Sequence, residues 1–383
     1  MESIYFDNSS TVLKNSKLVE KVNTYLTGIP TSYNRGNNSI NITKQVENIR
    51  KKVKDFINAD SDNQIIFTTG ATMASNLIAY SYGLYNLKKN DEILLCEQDH
   101  KSTVLPFYNL KNILERFNTN IKIENILIHP HGDYEEQDLL SKVTSNTKII
   151  ILTHIHNMYG LEMNIIELVE NIKKINKNCK IVLDASQSIG HIKVDVKQLD
   201  IDMLYFSGHK MGSLPGVGIL YIKDKISEFT PFIIGGGFSN KELTIKKNKD
   251  LENGTLNIPA IISLESAIDK INELGIDYIE NTIYSLTRYL YDKLQLVPNL
   301  EFNKGIAKCK CALGYGIISF KINGITSNEL GEILRDYNIF VRTGDFCNMS
   351  NHDDYIRVSL YYYNTKEEID KFIKVLTYLV DNV

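Results

Sequence analysis

The stretch that decides the reading is LYFSGHKMGSLPGVGILYIK, residues 204–223. An apolar run, Met203 to Phe206, stops at Ser207-Gly208-His209-Lys210, and a second, Val217 to Ile222, resumes only after Gly212, Pro215 and Gly216. Short aliphatic and aromatic runs separated by glycine and proline mark a strand, a turn and a strand. Lys210 therefore stands at the mouth of a buried strand. An isolated lysine in a turn is ordinarily a solvated one, so its meaning depends on what the neighbouring strand ends carry.

Working outward, the same unit recurs. Ile65-Ile66-Phe67 reads as a short buried strand, Thr68 to Thr72 as a turn, and Met73 to Leu87 as a helix with Leu77, Ile78 and Tyr82 on one face. Ile93 to Leu95, Lys148 to Thr153 and Lys180 to Leu183 read as further strands, and a helix follows from about Asn164. Thr43 to Ile57 shows a helical period at Val46, Ile49, Val53 and Ile57. Short Ile/Val/Leu runs alternating with helical patterns indicate a parallel sheet with crossover helices. Residues 1–40 have little regular period and are broken by Gly28, Pro30, Asn34 and Gly36 to Asn38.

Near Asn253-Gly254-Thr255 the texture changes. One long helical stretch, Pro259 to about Leu290, leads to strands at Gly316 to Lys321 and Arg357 to Tyr361 and helices at Ser327 to Tyr337 and Lys366 to Leu379. The expected architecture is α/β: a large domain with a mostly parallel sheet and a smaller α+β domain, divided between Thr255 and Leu290.

Composition narrows the class. Of 383 residues, 43% are hydrophobic and 23% charged, ordinary for a globular chain. The net charge of -3 comes from 43 basic and 46 acidic residues that are interspersed, so no nucleic-acid or membrane surface is expected. The start, MESIYFDNSST, has neither a basic leader nor a long apolar run, and the 5 cysteines follow no framework spacing. A cytoplasmic protein is expected. Cys309 and Cys311 lack a second ligand pair nearby, and no metal is expected.

Ligands of open α/β sheets bind outside the carboxyl ends of the strands. After Phe67 come Gly70, Ala71 and Thr72, small residues opening a helix, where backbone N–H groups suit a phosphate and equally suit ordinary capping. His100 follows Leu95, Asn157 follows Thr153, Asp184 and Gln187 follow Leu183, and Ser207, His209 and Lys210 follow Phe206. A lysine for a Schiff base, an acid for a pyridine nitrogen, and an imidazole, an amide and a phosphate cradle between them match the needs of pyridoxal 5'-phosphate. Any one of them alone reads as structural.

These motifs carry a family resemblance. YFDNSST (5–11), IIFTTGATMASN (65–76), DHKS (99–102), HNMYG (156–160), LDASQSIGHIKVDV (183–196), FSGHKMGSLPGVGILY (206–221), NGTLNIPAI (253–261) and RTGDFC (342–347) resemble the class V, fold-type I pyridoxal-phosphate enzymes. Within these the chain is most similar to cysteine desulfurases and selenocysteine lyases. That likeness implies seven strands in the sheet, a large domain over residues 15–257 and a small one from residues 1–14 and 258–383. The resemblance implies that Lys210 holds the cofactor and moves the substrate α-proton, Asp184 pairs with the pyridine nitrogen, Gln187 with the phenolic oxygen, and His100 stacks on the ring. It implies phosphate contacts from Gly70, Ala71, Thr72, Ser207 and His209, with Thr255 reaching the phosphate of a neighbouring subunit in a homodimer. Asn157 also falls on a cofactor position, and with Arg342 and Arg357 on a substrate position, Arg357 as a carboxylate fork.

Cys347 decides the reaction. On spacing alone it reads as a buried cysteine, or as a nucleophile if an electropositive setting favours the thiolate. The likeness of RTGDFC to the persulfide-forming loop of desulfurases implies conversion of L-cysteine to L-alanine, with the sulfur passed to Cys347 and on to an acceptor protein. The following run, CNMSNHDDYIR, lacks the usual continuation of that loop. A class V aminotransferase, a carbon–sulfur lyase that does not use Cys347, and a non-catalytic assembly partner are the alternatives. His154-Ile155-His156 could instead place two imidazoles on one strand face toward a metal, but no carboxylate ligands accompany them.

Overall fold

The computed structural model describes residues 3–28, 33, 36–129, 132–223, 226–236, 244–245, 247–252, 254–303, 315–348 and 354–380. Asn253, Cys309 and Cys311 lie outside the described residues, as does the whole run 349–353.

The central sheet has seven strands: β2 (Ile65–Thr68), β3 (Glu92–Leu95), β4 (Lys122–Asn125), β5 (Thr147–Thr153), β6 (Lys180–Asp184), β7 (Met203–Ser207) and β8 (Gly218–Ile222). Their spatial order is β2-β8-β7-β6-β5-β3-β4, and only β8 runs antiparallel to its neighbours. The mostly parallel seven-stranded sheet read from the sequence is thus present. It explains the continuous aliphatic runs, because a sheet covered on both faces leaves no strand position for water. Alternate residues feed opposite cores. Leu94, Ile150, Leu152, Ile181, Leu183, Leu204 and Phe206 lie in one, and Ile93, Leu95, Ile149, Ile151, Val182, Met203 and Tyr205 in the other.

Helices cover both faces. The first core takes Leu18 and Val22 of α1 (Ser16–Thr27), Val46, Ile49 and Val53 of α2 (Ile40–Phe56), and part of the helices that follow β5 and β8. The second takes Ala74 and Leu77 of α3 (Ala71–Leu77) and Val104, Phe107 and Leu110 of α4 (Lys101–Arg116). Later in the chain come α5 (Glu136–Lys142), α6 (Ile165–Ile175), α7 (Ile258–Leu274), α8 (Ile276–Leu294), α9 (Ser327–Asp336) and α10 (Lys366–Val380).

A third core joins distant parts of the chain. β9 (Leu300–Phe302), β10 (Ile317–Ile322) and β12 (Ile356–Ser359) form an antiparallel sheet in the order β12-β10-β9, and β1 (Ile4–Tyr5) pairs with β11 (Ile339–Phe340) in parallel. Ile4 and Phe6 pack there with Leu286, Leu290, Phe320, Val358, Phe372 and Leu376. The amino-terminal residues therefore complete the unit built by the end of the chain.

Three local readings differ from the structure. Helix α1 was hidden in a segment read as irregular, because only Leu18 and Val22 are buried while Val19 and Leu26 are exposed, so no apolar stripe stands out. Its start is set by Asn15, whose side chain accepts from Leu18 N at 2.8 Å. The helical stretch from Pro259 to about Leu290 is two helices, broken at Gly275, whose φ of 85° favours glycine. The Met73–Leu87 helix begins at Ala71 and widens into a π turn at Ile78–Gly83.

Gly218 opens β8 beneath the turn after β2. A Cβ there would meet Gly70 Cα and C at 2.6 Å and the Phe206 carbonyl at 2.7 Å, all of them backbone atoms unable to yield. Gly218→Ala is expected to destabilise the fold by about 1–3 kcal/mol, the usual range for overpacking, read as a lowered urea midpoint.

Candidate active site

Five strand ends of the large sheet meet the small sheet at one cavity of about 240 Å³. Ala71, Thr72, His100, Asn157, Asp184, Gln187, Ser207, His209, Lys210, Arg342, Cys347 and Arg357, all named from the sequence, line it. Gly70 is not among the lining residues; it lies next to Ala71, and a Cβ added to it would come 3.2 Å from Ser207 Oγ. Thr255 is apart: it is exposed and lines a separate groove with Phe67, Met73 and Leu256.

The lysine turn is set by packing. Gly208 allows the chain to fold tightly, since a Cβ there would lie 2.3 Å from Ser213 Oγ and 3.0 Å from Val217 Cγ1. Gly212 closes the turn with a φ of 106°. Val12 N donates to the His209 carbonyl at 3.1 Å, tying the amino-terminal segment to the same turn. Burial pushes the Lys210 ammonium below the usual lysine range; Asp184 opposes this and Arg357 adds to it.

Asp184 is held on both oxygens. Oδ2 accepts from Thr103 Oγ1 at 2.8 Å and Oδ1 from Ser186 N at 2.8 Å, and Tyr205 donates to Thr103 Oγ1 at 3.0 Å. Gln187 Nε2 donates to the Ser9 carbonyl at 3.1 Å, while its Oε1 is buried without a partner. Ala71 N donates to Ser207 Oγ at 3.1 Å, joining two strand ends at the foot of α3. His100 caps α4, its Nδ1 accepting from Ser102 N at 3.2 Å, and burial lowers its pKa to about 4, with Lys210 acting in the same direction.

The small unit brings the cations and the thiol. Arg357 donates from Nη1 to the Asn157 carbonyl at 3.0 Å and from Nη2 to Ser10 Oγ at 3.1 Å and Asp7 Oδ1 at 3.4 Å; its Nε is buried without a partner. Arg342 pairs with Arg357 through backbone bonds in both directions and donates from Nη2 to the Asp345 carbonyl at 3.3 Å. Cys347 has a φ of 60°, in the left-handed region, a conformation that costs a non-glycine residue on the order of 1 kcal/mol or more. The surroundings hold it there: Cys347 N donates to Asp345 Oδ1 at 2.6 Å and its carbonyl accepts from Lys101 N at 2.6 Å.

Some contributors had no clear sequence signal. Ser9, Ser10, Ser102, Ile155, Ser186 and Phe346 also line the cavity. Thr103 lies one position beyond the DHKS run, and its bond to Asp184 depends on the way the start of α4 meets the end of β6. The amide nitrogen of Asn157, expected toward a carboxylate, donates to the Phe346 carbonyl and to Asn348 Oδ1, both at 3.0 Å. The two imidazoles do not converge. β5 ends at Thr153; His154 Nε2 lies 3.6 Å from Glu162 Oε1, and His156 Nε2 bonds the Gln98 carbonyl at 3.1 Å. Among the described residues no group of three His, Cys, Asp or Glu side chains could hold a metal ion, and no helix is long and apolar enough to cross a membrane.

His156, His191 and His209 also have pKa values lowered to about 4 by burial. With ordinary values near 6.5 when unfolded, the unfolded chain binds more protons between these limits, so stability falls as pH drops from about 6.5 to 4. Urea midpoints measured across that window check this, and His156→Gln is expected to flatten part of the slope.

Comparison with known proteins agrees with this geometry. The aminotransferase class-V family model matches residues 4–372. A probable cysteine desulfurase of Borreliella burgdorferi is 35% identical over 97% of this chain and 90% of its own, and a cysteine desulfurase of Wigglesworthia glossinidia brevipalpis is 31% identical over 97% and 92%. The solved structure of a cysteine desulfurase from Thermococcus onnurineus, in its apo form, superposes with a TM-score of 0.91 at 29% identity, covering 100% of this chain and 95% of that one. The chain belongs to the aminotransferase class-V family.

Proposed function

We propose that this protein is a pyridoxal-phosphate-dependent cysteine desulfurase that takes sulfur from L-cysteine onto Cys347 and releases L-alanine. The observation that carries the reading is that Cys347 and Lys210, brought from separate units of the chain, line one cavity together with Asp184 and Arg357. The names borne by its relatives point the same way.

The residues present fit the cofactor. Gln187 Oε1, Ser186 Oγ and Arg357 Nε are buried polar atoms without partners around that cavity, and Gln187 Nε2 is already held by the Ser9 carbonyl. The Gly70 backbone, Ala71 N, Thr72, Ser207 and His209 form the end suited to a phosphate, and Asp184 the carboxylate suited to a pyridine nitrogen. When bound, pyridoxal phosphate supplies the electron sink that stabilises a carbanion at the amino acid α-carbon.

The chain supplies the rest. Lys210 holds the cofactor covalently and, with its ammonium disfavoured by burial, accepts a proton from the α-carbon at Nζ. His100, kept neutral by burial, lies over the ring face without adding a positive charge. Arg357 turns its free Nε–H and one terminal N–H toward the substrate carboxylate, with Arg342 beside it. The Cys347 thiolate attacks the substrate sulfur, a sulfur–sulfur bond forms, and the carbon–sulfur bond breaks with its electron pair left on carbon. Protonation of that carbon gives L-alanine and leaves a persulfide on Cys347 for an acceptor protein.

A homodimer belongs to the same proposal. Thr255 is exposed and away from its own chain's cavity, as a residue serving a second copy's phosphate would be. So do a cytoplasmic location and the two-unit division at 15–257 against 1–14 with 258–383. In that division α7 belongs by chain order to the smaller unit, while Ile258, Leu264 and Ile268 pack in the large core.

Cys347→Ala is expected to lower alanine production from L-cysteine by about a hundredfold or more. Undiminished alanine and sulfide would sink the persulfide step, and a keto acid in place of alanine would indicate transamination or lyase chemistry. In the parent protein, borohydride reduction is expected to add the cofactor mass to the peptide carrying Lys210. Retention of that mass in Lys210→Ala protein would overturn the assignment.

A further inference from the structure

Cys347 is mounted between two buried neighbours. Phe346 and Asn348 are each 3% exposed, whereas Cys347 is half-buried and lines the cavity. Phe346 packs with Met158 and Tyr355, and the Arg357 guanidinium lies 5.3 Å from its ring centre. Asn348 uses both ends of its amide. Nδ2 donates to the Gln98 carbonyl and to Asn157 Oδ1, and Oδ1 accepts from Asn157 Nδ2 at 3.0 Å. The result is a head-to-tail amide pair with a third bond to the backbone before His100.

The backbone repeats the connection. His100 and Asn348 form an antiparallel bridge, and the Cys347 carbonyl accepts from Lys101 N. Asp345, which caps Cys347 N, pairs through its other oxygen with Lys101 Nζ at 2.5 Å. All these partners lie at Gln98 to Lys101 or at Asn157, just past the ends of β3 and β5, the rim that also carries His100. A free loop has no reason to keep a cysteine at a φ of 60°. The docked loop does.

We propose that Asn348 is a positioning residue, pairing with Asn157 and Gln98 to dock the Cys347 loop on the rim of the large sheet and hold the thiol in place for the substrate sulfur. The reaction it serves is the proposed desulfurase reaction; the docking itself is a property of the protein without substrate. Removing the Asn348 amide strands Asn157 and the Gln98 carbonyl with fewer partners in a buried place. It leaves Phe346 as the only buried side-chain anchor next to the thiol.

The test uses Asn348→Ala and Asn348→Asp in the full chain loaded with pyridoxal phosphate. The Asp variant keeps the shape and an acceptor for Asn157 but cannot donate to the Gln98 carbonyl, and it stands in if the Ala variant does not fold. Without any amino acid present, alkylation of Cys347 by iodoacetamide, followed by mass spectrometry, is expected to be faster in both variants. Amide exchange at residues 98–101 and 345–348 is expected to rise, with exchange in β5 and β6 unchanged as the folding control. With L-cysteine, kcat is expected to fall by up to about a hundredfold, the loss that follows roughly 1 Å of misplacement, while KM and the visible cofactor absorbance stay near the parent values.

Parent-like alkylation and exchange would overturn the docking role. Faster alkylation with parent-like kcat would overturn the positioning role. If Cys347→Ala instead makes alanine at the parent rate, the persulfide reaction fails, and alkylation and exchange still decide whether Asn348 docks the loop.

Discussion

Two opposite charges taken out of water at neighbouring strand ends, the Lys210 ammonium and the Asp184 carboxylate, set the terms for everything around them. A buried charge is tolerated only where it is paired and hydrogen-bonded. Asp184 meets that condition through Thr103 and the Ser186 amide, which requires α4 to pack tightly against the sheet. Lys210 meets it less fully, and its charged form is disfavoured as a result. That imbalance favours the neutral amine over the ammonium.

The second unit contributes what the sheet cannot. Arg357 reaches the cavity from β12, and its paired partner Arg342 leads by a short loop to Cys347. Residues 5–14 run between the units: Asn8 and Ser9 bond to Ser359, Ser9 also accepts from Gln187, Asp7 and Ser10 hold Arg357, and Val12 bonds the lysine turn. A short amino-terminal segment thus touches Gln187, Arg357 and the lysine turn alike.

Much of the site was legible because its members follow the strands that bury most completely. The aliphatic runs before Thr72, His100, Asn157, Asp184 and Lys210 announce a parallel sheet, and a parallel sheet collects its strand ends on one rim. Helix α1 was not legible, since two buried residues in twelve positions make no stripe. The break at Gly275 was missed because apolar residues on either side keep a helical period through it. Asn348 carried no signal at all: an asparagine after a cysteine has meaning only once Asn157 and Gln98 are placed against it.

The sequence by itself determined the sheet, its rim and the residue types gathered there, because burial and strand periodicity are local properties of the chain. Around LYFSGHKMGSLPGVGILYIK it also determined where the lysine turn falls, through glycines whose missing side chains the packing requires. Only the tertiary structure decided that Cys347 and Lys210 line one cavity, that Asn157 is engaged by the Cys347 loop, and that Thr255 lies away from that cavity. Those facts depend on contacts between residues far apart in the chain, and such contacts are set by the way the core of the small sheet meets the large sheet.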